Sequence, residues 1–509
     1  MLSRLLKPVD RIIDGITMYR LLLYYLIGLI LVAMAFSALG VMHYSALTIG
    51  VEALTTVVAC WLINKMFAYM FDAPVNPESS ILTGLILTLI IPASLANLNF
   101  LFFLAAAGLA MASKYVLAIR AKHIFNPAAI AVVLTAIGPH QDASWWVGTA
   151  SMLPFVVVGG LLVARKTQRE PMVFTFLVAT TIATALFSIT GKSNVGLNLV
   201  NMVLTSGTFF LGFVMLTEPY SSPTTRNKQL WYAALVGVLI APQVHVGHFY
   251  TTPEIALIIG NIFAFIVSPK IKLFPYLTEK VKVAADTVQF AFMPERKIAY
   301  QPGQYMEWTL PHTNMDERGA RRYFTLASSP TEDELLLGVK FYDNSSSYKS
   351  AMLDMDRNSA IVAGQLAGDF VMPKDKNEKL VFIAGGIGIT PFRSMVKYLL
   401  DTNQRRNVIM LYSVRTEADI AYRDVFEEAR QRLGMQTHYI LTGSRANITK
   451  AHTHRGKITA SIIRQAVPDL EERTFYISGT HFMVEDIQAQ LHHLGVHHRN
   501  IKIDFFPGY

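Results

Sequence analysis

The stretch that decides the fold lies between residues 321 and 392, where RRYFTLASSP (321–330), VKFYDNSSSYKSAML (339–353) and LVFIAGGIGITPF (380–392) follow one another. The first segment has the pattern of a β-strand, and the second leads from a strand into a serine-capped helix. The third is a continuous apolar run, typical of a parallel strand buried on both faces, and it ends in glycines. This order predicts a lobe of antiparallel strands followed by a doubly wound parallel α/β lobe.

The chain upstream of this stretch has the composition of a membrane protein. Of 509 residues, 52% are hydrophobic and 16% are charged, and residues 21–64, 66–113, 123–164 and 229–269 contain no Lys or Arg. A helix needs about 20 apolar residues to cross a hydrocarbon core of about 30 Å, and these segments are long enough. The sequence therefore predicts a polytopic α-helical membrane domain over 1–275, an antiparallel β-barrel domain over 276–375 and an α/β domain over 376–509.

Apolar runs predict about ten spans, near residues 19–41, 46–64, 80–94, 98–117, 125–139, 150–164, 172–190, 197–216, 230–248 and 254–268. An even number of spans returns the chain to its starting side. Lys and Arg of the connecting segments fall on that side, except Lys192. The positive-inside rule then predicts a multi-pass plasma-membrane protein whose N-terminus and C-terminal lobes are cytoplasmic. The 80–94 and 125–139 spans are short, which is typical of re-entrant or broken helices.

Cysteine, charge and histidine patterns exclude several classes of site. Cys60 is the only cysteine, so this chain alone holds neither a disulfide framework nor an iron–sulfur cluster. The formal net charge of +9 follows the membrane topology, so no nucleic-acid partner is expected. The histidines of the membrane half lie near predicted span ends, and those of the C-terminal tail lie on a polar helix and loop, so no metal site is expected.

The segment Arg322-Tyr323-Phe324-Thr325 carries side chains suited to a flavin. The guanidinium of Arg322 can hold a diphosphate, the ring of Tyr323 can stack on an isoalloxazine, and the Thr325 hydroxyl can bond the flavin nitrogen. At the following helix start, backbone N–H groups and hydroxyls can hold the diphosphate. The hydroxyls there belong to Ser345, Ser346, Ser347 and Ser350. Each feature alone is equally typical of an edge strand or an ordinary helix cap.

The turn from Gly385 to Pro391 connects the apolar strand to a helix. Its glycines let a nicotinamide dinucleotide approach the backbone, and Thr390 can cap the helix end that faces the pyrophosphate. The next strand, NVIMLYSVRT, ends in Ser413 and Arg415, which are placed to contact the adenosine ribose.

A later strand, TFYIS, ends in Gly479 and Thr480, and the sequence closes with IDFFPGY at Tyr509. Strands therefore alternate with helices from residue 379 onward. This alternation predicts a parallel sheet with helices on both faces.

Across residues 280–509 these segments, in this order, resemble the ferredoxin–NADP reductase superfamily. The resemblance implies FAD bound by Arg322, Tyr323, Phe324, Thr325, Val339 and the segment Ser345–Ser350. It implies a nicotinamide dinucleotide bound by Gly385, Gly386, Gly388, Thr390, Pro391, Ser413, Arg415, Gly479 and Thr480. It places the following residues at the hydride-transfer site: Tyr323, Thr325, Ser478 and Tyr509.

The chain departs from that family in two places. Many members carry Cys-Gly-Pro where this chain has Ser478-Gly479-Thr480, and because the family Cys aids hydride transfer, a slower enzyme is expected. No plant-type ferredoxin segment follows, so electrons leave FAD by another route. NADH and NADPH both stay open, because SVRTEADIAYRDVF resembles NADH users while Arg415 and Arg423 can serve a 2′-phosphate.

Three segments of the membrane half stand out, namely PESSILTGLILTLIIP (77–92), FNPAAIAVV (125–133) and TEPYSSPTT (217–225). Asn-Pro and Glu-Pro at membrane edges break helices and free backbone groups for ligands. With these motifs, residues 15–270 resemble the membrane subunit shared by Rnf complexes (RnfD) and the sodium-pumping NADH:quinone reductase (NqrB). The resemblance implies a flavin-binding electron carrier in the membrane.

Members of that family carry FMN on a Thr in a Ser/Thr-Gly-Ala-Thr motif on the outer face. The equivalent loop here contains Gly148-Thr149-Ala150-Ser151, so the motif is not intact. Covalent FMN on Thr149 or Ser151, non-covalent FMN or riboflavin, and a plain loop with interfacial tryptophans all stay open. Asn126 and Glu218 are further candidates for the membrane flavin site, because polar groups at membrane depth are functional candidates.

Together these patterns predict an FAD-dependent NAD(P)H oxidoreductase in the lipid bilayer. A core of about 30 Å needs an intermediate carrier between FAD and the far side. The expected acceptor is a quinone or an extracytoplasmic flavoprotein. Redox-driven ion translocation, and a reductase that acts on soluble acceptors and is merely anchored by a transporter-like domain, are the alternatives.

Overall fold

The computed structural model describes residues 9, 13, 15–71, 77–92, 97–119, 122–138, 142–241, 244–246, 249–269, 271–316, 318–343, 345–443 and 453–506. The chain divides into two compact units, Met1–Lys270 and Ile271–Tyr509.

The first unit is built from apolar helices. They are α1 (Met18–Ala38), α2 (Ala46–Met70), α3 (Pro77–Ile90), α4 (Asn97–Val116), α5 (Pro127–Ile137), α6 (Leu153–Lys166), α7 (Glu170–Thr190), α8 (Val195–Leu204), α9 (Thr208–Phe210), α10 (Arg226–Leu239) and α11 (Pro253–Val267). A π-helical turn, Leu211–Met215, continues α9. Two short hairpins pair β1 (Ala118–Ile119) with β2 (Lys122–His123) and β3 (His245–Val246) with β4 (Phe249–Tyr250).

Three of the described helices, α1, α2 and α7, are long and apolar enough to cross a membrane, and the bent pair α8–α9 adds a fourth if counted as one span. With 14 and 11 residues, α3 and α5 are shorter. At 1.5 Å per residue they measure about 21 Å and about 17 Å, less than a hydrocarbon core of about 30 Å. At these lengths neither helix crosses such a core by itself, and the count of about ten spans stays a prediction.

Two predicted spans differ from the structure. The span over 197–216 is bent by 57° between α8 and α9. The bend falls at Thr205-Ser206-Gly207, where hydroxyls offer the backbone alternatives to helical hydrogen bonds. The span over 230–248 ends at Leu239, whose carbonyl accepts a hydrogen bond from the Thr251 hydroxyl at 2.6 Å, and the β3–β4 hairpin follows.

The second unit begins with antiparallel strands. They are β5 (Lys272–Leu273), β6 (Tyr276–Ala284), β7 (Thr287–Met293), β8 (Tyr305–Thr309), β9 (Arg321–Thr325), β10 (Leu335–Lys340) and β11 (Val362–Ala367), with helix α12 (Ser347–Asp354) before β11. They form two sheets, in the orders β10-β7-β6 and β5-β11-β8-β9. Buried Trp308, Phe290, Phe292 and Tyr348 fill the space between them. Closure into a barrel stays a prediction.

The rest of the second unit is a six-stranded parallel sheet. Its strands are β12 (Lys379–Gly385), β13 (Val408–Val414), β14 (Gln436–Leu441), β15 (Thr453–Arg455), β16 (Arg473–Thr480) and β17 (Ile501–Phe506). Helices α13 (Thr390–Asp401), α14 (Arg423–Leu433), α15 (Ala460–Ala466) and α16 (His481–His493) connect them. Neighbouring residues of β12 enter opposite cores, with Phe382 in one and Val381 in the other. The predicted doubly wound lobe is thereby confirmed.

The strand order β15-β14-β13-β12-β16-β17 reverses between β12 and β16. Ligands of open parallel sheets bind outside the carboxyl ends of the strands at such a reversal. The fold therefore selects the ends of β12 and β16 as the place to look for a site.

Candidate functional site

The two glycine turns predicted for the nicotinamide dinucleotide meet at this reversal. Ala384 of β12 is in register with Ser478 of β16. Gly388 lies so close to the β16 backbone that a Cβ there would stand 2.4 Å from the Ser478 carbonyl oxygen. Gly386 has φ +54°, a left-handed conformation that favours glycine. The turn after β12 therefore needs glycine at two positions, at Gly388 for the close approach to β16 and at Gly386 for the backbone conformation.

A small cleft lies beside these turns. Both lobes of the second unit line it. Thr287 and Lys340 come from the lobe of antiparallel strands (residues 271–367), called the flavin lobe after its predicted ligand, and Gly386, Tyr412, Arg415 and Asp419 come from the parallel-sheet lobe (residues 379–506), called the nucleotide lobe for the same reason. Gly386 and Arg415 had been predicted, whereas the other four had not. Asp419 is fixed in place, because its Oδ2 accepts hydrogen bonds from the Thr416 N–H (2.9 Å) and hydroxyl (2.7 Å).

Thr390 does not cap the helix, contrary to the prediction. It is the first residue of α13, Ile389 occupies the cap position, and the Thr390 hydroxyl donates to the Ile387 carbonyl at 3.2 Å. A 3-10 turn, Gly386–Ile389, moves the helix start beyond the glycines. Pro391 lies in the first helical turn, where no N–H is required. Ser413 is half-buried in β13, in register with Gly385.

Met483 was not predicted as a site residue, yet its thioether covers both glycine turns. A Cβ on Gly385 would be 2.0 Å from the Met483 sulfur, and one on Gly479 would be 3.0 Å from it. Met483 lies in the first turn of α16, just after Thr480, whose side chain makes no capping hydrogen bond. In the sequence, only its position shortly after the predicted turn, in GTHFM, indicates that Met483 lies near the site.

Ser478 and Asp504 are neighbours on β16 and β17. Ser478 was predicted for the hydride-transfer site, whereas Asp504 was not predicted. Ser478 is fully buried, and within the described part of the chain its hydroxyl has no hydrogen-bond partner. Asp504 of β17 is in register with it, and burial raises the pKa of Asp504 to about 7. The sequence signal for Asp504 was an acidic residue within the otherwise largely apolar strand IKIDFF, since buried acids are candidates for functional sites. Tyr509 lies outside the described residues.

On the flavin lobe, Arg322 is buried and held by backbone. Its Nη1 donates to the carbonyls of Arg318, Gly319 and Arg321 at 2.7, 3.1 and 2.6 Å. Thr325, at the end of the same strand, is also buried, and its hydroxyl has no hydrogen-bond partner among the described residues. A buried orphan hydroxyl of this kind fits a missing ligand contact.

Tyr323, Phe324 and Val339 have different surroundings. Tyr323 is 40% exposed, and its hydroxyl donates to Glu307 Oε2 at 2.8 Å. Phe324 is half-buried against the ring of Tyr348, 6.1 Å away. The Val339 side chain is buried in the core of the flavin lobe, so only its backbone can face a ligand. The exposed ring of Tyr323 is thus the one suited to stacking.

The serine cluster lies at the start of α12, as predicted, but its groups are engaged. Ser346 is the N-cap and accepts from the Lys349 N–H at 3.4 Å, and Ser350 donates to the Ser346 carbonyl. Ser345 accepts from the Tyr342 N–H. Ser347 contacts the segment His312–Asp316.

Positive charge exceeds negative charge around this helix start. Asp316 pairs with Arg318 at 2.9 Å and with Arg322 at 3.8 Å. Lys349 is also buried here, and burial, with a smaller effect from Arg322 and Arg318, lowers its pKa to about 8. A helix N-terminus surrounded by cations is suited to an anion such as a diphosphate. Lys349 had not been predicted.

In the membrane unit, Asn126 and Glu218 bond each other directly. Asn126 Nδ2 donates to Glu218 Oε2 at 2.8 Å, and Ser221 donates to the same oxygen at 2.7 Å. His123 Nε2 lies 3.7 Å from Glu218 Oε1, and its ring stacks on Tyr220 at 5.3 Å. The structure thus joins two of the segments that the sequence singled out into one polar cluster, referred to below as the Glu218 cluster.

Thr149 and Ser151 lie in another part of the unit, with their hydroxyls 3.3 Å apart. Among the described residues, no hydrogen bond or ion pair links them to Asn126 or Glu218. Their loop instead packs on the α8–α9 break, since a Cβ on Gly148 would be 2.4 Å from the Ser206 carbonyl oxygen.

At that break, the hydroxyls of Ser206 and Thr208 are 2.6 Å apart. Thr205-Ser206-Gly207-Thr208 is therefore a second stretch of small hydroxylated residues beside the first. This stretch partly matches Ser/Thr-Gly-Ala-Thr and was not among the predicted site residues.

The tryptophans of this loop are buried and do not anchor an interface. Trp145 donates to Glu254 Oε2 at 3.0 Å, and Trp146 donates to the Thr88 carbonyl at 2.8 Å. The N–H groups of Ser144 and Trp145 bond the Ile90 carbonyl at the end of α3. The loop thereby caps a helix that ends within the unit, which is how broken membrane helices satisfy their backbone.

Two family models match separate parts of the chain. The NQR2, RnfD, RnfE family matches residues 140–272, and the oxidoreductase NAD-binding domain matches residues 382–489. Both resemblances drawn from the sequence are thereby confirmed.

Curated relatives match part of the chain. The flavohemoprotein of Candida albicans is 27% identical over 216 residues, which are 41% of this chain and 51% of that protein. The glycine betaine monooxygenase reductase subunit of Chromohalobacter salexigens is 24% identical over 198 residues, which are 38% and 53% of the two proteins. The chain thus spans about half the length of these relatives.

Among solved structures, the FAD/NAD-binding domain of nitric oxide dioxygenase from Vibrio cholerae is 20% identical, with a TM-score of 0.41, over 46% of this chain and 98% of that one. Amycolatopsis cytochrome P450 reductase GcoB is 23% identical, with a TM-score of 0.41, over 47% and 71%. By its two matched domains, the chain joins a domain of the NQR2, RnfD, RnfE family to an oxidoreductase NAD-binding domain of the ferredoxin-reductase type.

Proposed function

We propose that the chain is a membrane-bound, FAD-dependent NAD(P)H oxidoreductase that delivers electrons from the nicotinamide into its own membrane unit. One observation carries the proposal. The glycine turns of β12 and β16 and the buried residues Arg322 and Thr325 occur in one unit, in the same chain as a domain of the NQR2, RnfD, RnfE family.

Arg322, Lys349 and the start of α12 would hold the flavin diphosphate, because they combine buried cations with a helix N-terminus. The Tyr323 ring would stack on the isoalloxazine, and the Thr325 hydroxyl would bond one of its ring nitrogens. Bound FAD would accept hydride and release electrons singly.

The nicotinamide dinucleotide would lie along the cleft between the lobes of the second unit. Gly386 and Gly388 leave room for its pyrophosphate, and Arg415 stands where the adenosine ribose would lie. The Met483 thioether would shield the reacting ring from water. Ser478 would contact that ring with a hydroxyl weaker in effect than the family thiol, so hydride transfer would be slow.

Two places in the membrane unit are candidates for FMN or riboflavin. The Glu218 cluster offers hydrogen-bonding groups and the stacked rings of His123 and Tyr220. The hydroxyls of Thr149, Ser151, Ser206 and Thr208 offer attachment points beside the α8–α9 break. A flavin at either place would shorten the path across a core of about 30 Å.

The final acceptor would then be a quinone or an extracytoplasmic flavoprotein, with the reductase unit in the cytoplasm. Ion translocation and a purely anchoring role for the membrane unit are the alternatives. A membrane flavin that NADH or NADPH reduces through FAD would contradict the anchoring role.

Flavin content of the purified full-length chain tests the proposal. We expect one FAD released by acid denaturation and a second flavin, either released or retained on a peptide that contains Thr149, Ser151 or Thr208. FAD that NADH and NADPH both fail to reduce would refute the reductase function. If FAD is the only flavin found, the proposed membrane flavin is refuted and the proposed reductase function is unaffected.

A further inference from the structure

The segment His312–Asp316 is attached to the start of α12 by side-chain hydrogen bonds. Asp316 Oδ2 accepts from the Ser347 N–H at 3.0 Å, and the Asp316 N–H donates to the Ser347 hydroxyl at 2.9 Å. His312 Nε2 is 2.9 Å from the same hydroxyl. Ser347, the first residue of the helix, is therefore surrounded by this one segment.

The direction of the hydrogen bond between Ser347 and His312 follows from the tautomer of His312. His312 Nδ1 lies 2.8 Å from the Leu310 carbonyl oxygen, which can only accept a hydrogen bond. Nδ1 therefore carries the proton, and Nε2 of the neutral ring accepts from the Ser347 O–H. Ser347 thus gives its N–H to Asp316 and its O–H to His312.

The Asp316 carboxylate also pairs with two nearby arginines. The Arg318 Nε–H donates to Oδ2 at 3.0 Å, the Arg318 N–H donates to Oδ1 at 3.0 Å, and Arg322 Nη2 is 3.8 Å from Oδ1. A helix N–H and two guanidinium groups are the partners that a phosphate takes in proteins. Asp316 therefore occupies the anion position of this helix start.

We infer that Asp316 is an internal competitor of the flavin diphosphate, and that the segment His312–Asp316 must leave Ser347 when a diphosphate binds there. The inference rests on the proposed function, because it concerns the same FAD site. A phosphate oxygen cannot take the Ser347 N–H while Asp316 holds it. In addition, the carboxylate repels the diphosphate at any nearby position.

The competition is tested with three ligands on the full-length chain in detergent, after its bound flavin has been removed. ADP carries a diphosphate without an isoalloxazine, riboflavin carries an isoalloxazine without phosphate, and FAD carries both. The variants are Asp316→Asn and, as a matched control, Asp333→Asn. Asp333 is an exposed carboxylate of the same lobe, paired with Lys297 at 3.0 Å.

We expect Asp316→Asn to bind ADP and FAD about tenfold more tightly than the unmodified chain. A tenfold change corresponds to the free energy of about one hydrogen bond to a charged group. Riboflavin affinity should not change, and Asp333→Asn should leave all three affinities unchanged. If Asp316→Asn does not fold, His312→Ala replaces it, because it frees the Ser347 hydroxyl and should raise ADP affinity about threefold by the same principle.

Equal or weaker ADP binding by both Asp316→Asn and His312→Ala would overturn the inference, since the segment would then be inert or would support the diphosphate. Failure of the unmodified chain to bind FAD and ADP would instead refute the proposed FAD site.

Discussion

At the scale of single residues, the chemistry of the second unit depends on side chains whose surroundings change their ionisation. Burial lowers the pKa of Lys349 to about 8 and raises that of Asp504 to about 7. Lys349 lies at the predicted diphosphate site and Asp504 at the end of the parallel sheet. The Lys349 shift predicts how FAD affinity depends on pH, and the Asp504 shift predicts how stability depends on pH. Each prediction can be tested by replacing that one residue.

FAD affinity should fall as the pH rises above about 8. Below that pH the charged Lys349 attracts the diphosphate. Above it Lys349 is neutral and must take up a proton when FAD binds, which lowers the affinity. Titration of the flavin-free chain at pH 7 and pH 9 should show a several-fold weaker affinity at pH 9.

Lys349→Arg is the matched control for this pH dependence, because its guanidinium stays charged throughout the range. Its FAD affinity should vary less between pH 7 and pH 9. An equally steep dependence in Lys349→Arg would assign the titration to another group.

Asp504 should make the nucleotide lobe less stable as the pH rises. Its folded-state pKa of about 7 is above the ordinary value of about 3.9 for the unfolded chain. The unfolded state therefore ionises first, and the free energy of unfolding falls between about pH 4 and pH 7, then levels off.

In Asp504→Asn this decline should disappear, so the variant should be more stable than the unmodified chain at pH 8. Thermal unfolding at pH 5 and pH 8 measures the difference. Asp486→Asn, which removes an exposed carboxylate of α16, should behave like the unmodified chain. A decline that persists in Asp504→Asn would show that a different acid causes it.

At the scale of secondary-structure elements, the nucleotide site is made by strand ends rather than by any one motif. The turn after β12 rests on the backbone at the end of β16, with Gly388 against the Ser478 carbonyl. The membrane unit uses the same kind of contact, where the loop of Gly148 rests on the α8–α9 break. In both places a glycine without a Cβ lets two backbone segments touch.

Gly388→Val should abolish nicotinamide oxidation while FAD stays bound. Its Cβ would be 2.4 Å from the Ser478 oxygen and 2.7 Å from the Gly479 nitrogen, and backbone atoms cannot move away cheaply. We expect a loss of more than about tenfold in NADH or NADPH oxidation, since a small displacement of a site costs that much.

Gly434→Asn is the matched control, because Gly434 has φ +73° and open space around its Cα, which Asn tolerates. It should oxidise nicotinamide normally. Normal turnover by Gly388→Val would show that the contact between the two turns is unnecessary.

At the scale of the whole molecule, one chain combines a reductase-type unit with a membrane unit that contains partial helices. α3 and α5 have 14 and 11 residues, and Asn126, the N-cap of α5, bonds Glu218. Polar groups at the ends of broken helices are where membrane proteins bind ligands. The Glu218 cluster is therefore one of the two flavin sites proposed for the membrane unit, and it can be tested by mutation.

Glu218→Gln should slow electron entry into the membrane unit without affecting the reduction of FAD. It replaces the carboxylate oxygen that lies 3.7 Å from His123 Nε2 or weakens the bonds from Asn126 and Ser221, depending on how the new amide is oriented. We expect stopped-flow absorbance to show FAD reduction by the nicotinamide at the normal rate, and reduction of the second flavin at least about tenfold more slowly.

Glu170→Gln, at a half-exposed carboxylate at the start of α7, should reduce both flavins normally. Normal reduction of the second flavin by Glu218→Gln would exclude the Glu218 cluster from the electron path.

The sequence by itself determined the two halves, the order of the lobes and the glycine turns, because apolar runs and glycine-rich turns are local patterns. Only the tertiary structure brought Ser478 beside Asp504, placed Met483 over both turns, and joined Asn126 to Glu218. It also moved Thr390 from cap to first helical residue and broke the span predicted over 197–216. The contacts of Ser478, Met483 and Asn126 join residues far apart in the chain, so no local pattern of spacing or polarity contains them. The helix start at Thr390 and the break depend on a 3-10 turn and on hydroxyls that compete with helical hydrogen bonds, which apolar periodicity does not reveal.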